Sequence, residues 1–266
     1  MPAIDRARLA LQTARVADAA GDPEALRRRF RDLMEFYADR TRRLMPDSDG
    51  YGAPLPVLKA QASALAERAT TSDQAALLAD VLWSMEFREA RLVAAKLIRG
   101  QPPDDILYRI LAWAGTTRDP LIMAELAGPS LGEARRRAPA TFLQTMMDGC
   151  RAATSSQRSF ALRALADAAA DRSFQALPDV LEVLSRGVEA PVGDEARSLT
   201  LLVVALARRT PGETARVLRD ALDRRQPWAY RLAATAMPEL PERTQASLQR
   251  SLSASRAAGI IASSVD

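Results

Sequence analysis

The chemistry open to this sequence rests on carboxylates, guanidinium groups and aromatic rings, because it has no histidine and a single cysteine, Cys150. A Ser-His-Asp triad, a Cys-His dyad and a histidine-bearing zinc site are therefore excluded. One cysteine also excludes an intramolecular disulfide, which suits the cytosol. Trp113 is a candidate platform for a ligand, with burial between helices as the alternative. Trp83, beside Leu82 and Phe87, reads as core, and Trp228 fits core packing better than surface stacking. Asp119 stands before Pro120, a pattern that suits a helix N-cap better than a catalytic acid. Asp104 and Asp105 follow a Pro-Pro pair and read as a helix start, where carboxylates complement the helix dipole. Cys150 reads as a small buried hydrophobe.

The net charge is +4 and the isoelectric point about 9.7. Nearly all the positive charge is arginine; Lys59 and Lys96 are the only lysines. Arginine's planar fork donates two hydrogen bonds at once, which suits phosphate. Abundant arginine with abundant alanine also fits the codon usage of a GC-rich genome. The run from Arg27 to Arg43 interleaves arginines with Asp32, Glu35 and Asp39, the pattern of a solvated helix face.

These residues must be positioned by helices. Aromatic residues are only 5% of the chain, so alanine, leucine and valine must fill the core, and small side chains favour close helix packing. Helical periodicity predicts a helix over 4–20 and, after the start signal at 21–24, a second that carries Leu26, Phe30, Leu33, Met34 and Phe36-Tyr37 on its apolar side. It then predicts 56–69, 72–84, 87–99, 104–114, 119–132, 139–152, 155–169, 174–186, 194–209, 211–223, 227–236 and 241–255. Start and stop signals agree: Asp22-Pro23-Glu24, the capping-box pattern Thr71-x-x-Gln74, Thr210-Pro211, and glycines at 100 and 187 where C-caps fall. Residues 46–56 read as a structured loop. Pairs repeat every 35–45 residues or so, the range of HEAT and armadillo repeats. The expectation is an all-α chain, a right-handed superhelix of antiparallel HEAT-like helix pairs, with one domain over 1–256 and a frayed tail over 257–266. No signal peptide or membrane span is legible, so a cytoplasmic protein is expected.

Two segments carry more than architecture. Gly52-Ala53-Pro54-Leu55-Pro56-Val57-Leu58-Lys59 places a proline four residues after a glycine and a basic residue seven after it. Leu82-Trp83-Ser84-Met85-Glu86-Phe87-Arg88-Glu89 follows, then a run of small apolar residues. Together, and with the upstream Phe36-Tyr37, they resemble the HEAT-like DNA alkylation repair family of alkylpurine DNA glycosylases over residues 36–99; from 100 to 225 only the helix order agrees. The resemblance implies a basic concave surface that grips duplex DNA by its backbone. It also implies that cationic alkylated purines are released with help from a carboxylate and aromatic faces.

Carried over residue by residue, the family's Trp-Asp-x-x-Asp segment falls on Trp113-Ala114-Gly115-Thr116-Thr117. The tryptophan is present, and Thr117 stands where the catalytic aspartate would be. Asp119, two residues on, is the candidate for a relocated acid. A phosphate-binding arginine falls on Arg158, a cleft tryptophan on Leu201 and a lysine on Arg197. The expected DNA-binding residues are Lys59, Arg88, Trp113, Arg158 and Arg197. The expected partner is double-stranded DNA, with no membrane, no metal and no cofactor, and the chain is expected to be a monomer. The expected function is duplex DNA binding with base excision weakened or lost. A protein-interaction scaffold and an active glycosylase using Asp119 are the alternatives.

Overall fold

The computed structural model describes residues 4–38, 50–185, 191, 193–226 and 228–257, with side chains as far as residue 254. Among them every regular element is helical and there is no strand. Arg40, Arg42, Arg43, Gly187, residues 46–49 of the expected loop and the tail from 258 lie outside the described residues. The chain forms two compact units, residues 1–108 with 118–137 and residues 109–117 with 138–266.

The N-terminal unit contains α1 (Arg6–Ala17), α2 (Pro23–Phe36), α3 (Leu55–Arg68), α4 (Ser72–Trp83), α5 (Arg88–Leu97), the first half of α6 (Pro103–Ala114), α7 (Pro120–Glu125) and α8 (Gly132–Arg137). Within it α1 packs on α2 and α3, α3 on α5, α4 on α2 and α5, and α5 on α7. Packing between helices two apart, α1 on α3, α3 on α5, α5 on α7 and α2 on α4, sorts α1, α3, α5 and α7 into one layer and α2 and α4 into another. Asp22 caps α2 as its sequence predicts, accepting from the backbone N–H of Glu24 (3.0 Å) and Ala25 (3.1 Å). Leu26, Phe30, Leu33 and Met34 then fall on one buried face of α2. The Phe87 ring packs against both Phe30 and Tyr51, with centroids 5.9 and 5.1 Å apart, and so ties the loop before α3 to the core.

The helix expected over 119–132 is interrupted. α7 ends at Glu125, a π-helical turn runs from Leu126 to Ser130, and α8 begins at Gly132. The cause is Pro129, inside that turn. Its ring displaces the carbonyl four residues back and its nitrogen has no hydrogen to donate, so the helix widens. Ser130 re-anchors the segment by donating to the buried Ala95 carbonyl at 2.8 Å.

The C-terminal unit contains the second half of α6, then α9 (Pro139–Gly149), α10 (Ser155–Ala170), α11 (Leu177–Ser185), α12 (Gly193–Arg209), α13 (Pro211–Asp223), α14 (Ala229–Ala236) and α15 (Glu242–Ala257). α10 packs on α9, α11 and α12, α12 on α13 and α14, and α13 on α11 and α15. α10 buries Phe160, Leu162, Leu165 and a series of alanines. At Gly149 a Cβ would stand 2.9 Å from that of Ala161, so the absent side chain is what lets α9 approach α10. α11 starts three residues later than the sequence suggests. The Phe174 N–H turns back to the Asp171 carbonyl at 3.1 Å, and Arg209 donates to the carbonyls of Ala169 and Asp171 at 3.1 and 2.6 Å.

Two caps differ in detail from their sequence patterns. Gln74 accepts from the N–H of Thr70 rather than closing a box on Thr71. Thr210 sits at the N-cap of α13, but its hydroxyl donates back to the Leu206 carbonyl at 3.2 Å and leaves the new helix uncapped by a side chain. Gly100 has φ +94°, as a residue ending a helix turn requires.

Candidate nucleic-acid interface

In the N-terminal unit the two motif segments meet. Gly52 has φ +71°, a conformation that glycine adopts without steric cost. Its N–H donates to Oε1 of Glu89 at 2.6 Å, and the N–H of Ala53 donates to the same oxygen at 3.3 Å. Glu89 lies in the first turn of α5 and is buried. A carboxylate from the second segment therefore fixes the turn of the first, which explains on physical grounds why they occur together. Two turns of backbone later Lys59 projects from α3, exposed and without an ion pair among the described residues.

Arg88, beside Glu89, points elsewhere. Its Nε donates to Oδ2 of Asp119 at 2.5 Å, and the Asp119 side chain is only 8% exposed. The other oxygen of Asp119 accepts from the N–H groups of Leu121 (2.8 Å) and Ile122 (3.3 Å), so this residue is the N-cap of α7. Both carboxylate oxygens are engaged. Lys96 and Arg99 add a second link of the same kind, both donating to Glu125 at the end of α7.

The C-terminal unit carries the remaining candidates. Trp113 is 7% exposed and Thr117 is 6% exposed, so both are core positions in this structure. Gln157 reaches the end of α6, donating to the Leu111 carbonyl at 3.5 Å. Arg158 donates through Nε and one amino group to the Glu195 carboxylate, at 3.1–3.2 Å. Its other amino group donates to the carbonyls of Ala152 and Ala153 at 2.9 and 3.1 Å. Glu195 is 4% exposed. Arg197 is 69% exposed and pairs with Asp194 one turn back, at 2.7 Å. Leu201, one turn beyond Arg197 on the same helix, is also exposed.

Trp83 and Trp228 are buried, as their core readings require. Cys150 ends α9, and burial pushes its thiol up to about 12, which removes the thiolate needed for reactivity. No cluster of side chains suited to a metal ion occurs among the described residues, and no helix there is long and apolar enough to cross a membrane.

Glu89, Glu195 and Arg209 are the working residues that motif reading passed over. Glu89 lies inside the second motif segment, yet nothing local marks which backbone it would cap. Glu195 carries the signal of an acid in a helix's first turn, which does not reveal its guanidinium partner. Arg209 has no sequence signal at all.

The described geometry thus offers exposed cations on helical faces and several internal arginine–carboxylate links, with no exposed acid at Thr117. No curated protein and no solved structure matches the chain. A family model described as DNA alkylation repair enzyme matches residues 34–182, more than half of the sequence and well beyond the two motif segments. The chain belongs to the DNA alkylation repair enzyme family.

Proposed function

We propose that this chain binds duplex DNA through phosphate contacts from exposed cations, and that it lacks carboxylate-assisted excision of alkylated purines. The observation that carries the second half is the state of the acids near the expected catalytic segment. Thr117 is buried and cannot offset the positive charge that develops as a glycosidic bond breaks. Asp119, the candidate replacement, is nearly buried, caps α7 and is already paired with Arg88. The binding half draws on Lys59 and Arg197, which face solvent. The alternation of layers inside each unit supports the HEAT-like reading of the fold.

The decisive experiment uses duplex DNA containing 7-methylguanine or 3-methyladenine. The protein is expected to bind it with steep salt dependence, since each phosphate contact releases counterions, and to release no base above the buffer control. Base release at an enzymatic rate would overturn the non-catalytic reading.

A protein-interaction scaffold is the second reading. One observation favours it: three of the four candidate cations have a carboxylate partner, Asp119 for Arg88, Glu195 for Arg158 and Asp194 for Arg197. Absence of binding to duplex DNA even at low salt would select this reading.

A further inference from the structure

The hairpin of α1 and α2 carries a groove that the duplex-binding reading does not use. It has a volume of about 520 Å³, with Val16, Leu33 and Phe36 along its apolar floor and Arg15, Arg29 and Asp32 on its rim. That falls inside the roughly 300–1,000 Å³ typical of ligand clefts. The family match begins at residue 34, so α1 and nearly all of α2 precede it. The hairpin also holds two of the few large apolar side chains left exposed among the described residues, Leu11 and Phe36, each about half exposed.

We propose that this groove docks an acidic amphipathic peptide segment of a protein partner. Aliphatic side chains of the segment enter between α1 and α2, and its carboxylates meet the rim arginines, as an amphipathic helix lies in a groove. Arg29 is braced for this role: one of its amino groups donates to the Arg15 carbonyl at 2.6 Å, which holds the rim together, and its guanidinium has no carboxylate partner among the described residues. Arg8 adds a third cation, with its guanidinium 4.4 Å from the centre of the Phe36 ring.

The same details disfavour a nucleic acid in this groove. Arg8 occupies one face of Phe36 and the Tyr37 ring meets it edge-on at 4.9 Å, which leaves a poor stacking platform for a base. Asp32 on the rim repels any anion, phosphate or carboxylate, and calls for a hydrogen-bond donor beside the ligand's acidic groups. A peptide, which brings N–H donors as well as carboxylates, has a use for both signs of the rim. The proposal stands whether or not the chain binds DNA elsewhere.

The test pans a random twelve-residue displayed peptide library on the full chain, then measures one enriched peptide by fluorescence polarisation. Enriched sequences are expected to combine Asp or Glu with Leu, Ile, Met or Phe. Arg15→Glu together with Arg29→Glu is expected to weaken the peptide at least tenfold, with the circular dichroism spectrum unchanged. Arg15→Glu alone keeps the Arg29 brace and is expected to weaken it several-fold, while Arg15→Lys retains most of the affinity. The proposal is overturned if nothing is enriched over bare matrix, or if the enriched peptides bind these variants as well as the parent. Displacement of the peptide by a duplex oligonucleotide from the wild-type chain, but not from the Arg15→Glu variant, would instead assign the groove to nucleic acid and would also overturn it.

Discussion

In the N-terminal unit Arg88, at the start of α5, meets Asp119 at the cap of α7; in the C-terminal unit Arg158, in the first turn of α10, meets Glu195 in the first turn of α12. Each pair links a helix to the next but one, and each links residues more than thirty positions apart. The two differ in how completely the guanidinium is used. Arg88 gives one N–H to a carboxylate whose other oxygen caps a helix. Arg158 gives three nitrogens to a buried carboxylate and two backbone carbonyls. The comparison teaches that an arginine matching a phosphate-binding position can instead hold stacked helices together. A phosphate would have to compete with partners already in place.

The largest expected effect separates the two pairs. Glu195→Ala strands a half-buried guanidinium and should lower unfolding stability by about 3 kcal/mol, the low end for breaking a buried pair because Arg158 keeps some solvent. Urea unfolding measures it. Asp119→Ala removes the cap of α7 and the one-donor contact from Arg88, so its cost should be smaller, about 1–2 kcal/mol. Equal losses in the two variants would show that the difference in geometry has no energetic counterpart.

DNA binding sharpens the contrast between engaged and exposed cations. Lys59→Ala should weaken duplex binding by about 1 kcal/mol and reduce the salt slope by about one. Arg158→Ala should leave the salt slope alone and show its effect in the unfolding curve. A salt slope lowered by Arg158→Ala as much as by Lys59→Ala would restore Arg158 to the interface.

The smallest effect concerns the exposed pair Arg208–Glu239 in the C-terminal unit. A hydrogen bond from Arg208 holds the Glu239 carboxyl below the ordinary glutamate value. Its contribution is therefore present above the unfolded-state value and is lost as pH falls through the lowered folded value. Thermal unfolding at neutral and at strongly acidic pH should show a slightly larger acid loss for the parent than for Glu239→Gln. Exposure keeps the difference small.

Much of the helix order is legible in the sequence because its signals are local. Asp22 and Asp119 act as the caps that their neighbouring prolines imply. The apolar spacing of α2 and the small residues of α10 mark buried faces. The break at Pro129 is legible in the sequence as a proline inside an otherwise helical stretch, where the missing N–H outweighs the continuous periodicity of 119–132. The candidate site is legible only in part. Lys59 and Arg197 are exposed helix-face cations, whereas the partners of Arg88 and Arg158 come from helices whose approach depends on the whole core.

By itself the sequence determined an all-helical chain without histidine chemistry, with threonine where the resemblance calls for an aspartate. Those facts follow from residue identity and from a repeat distance of a few residues. Only the tertiary structure decided that Thr117 is buried, that Asp119 is a helix cap paired with Arg88, and that Glu89 holds the Gly52 turn. Hydrogen bonds and ion pairs depend on distances of a few ångströms between residues far apart in the chain. Periodicity does not encode those distances; the packing of one helix against the next but one sets them.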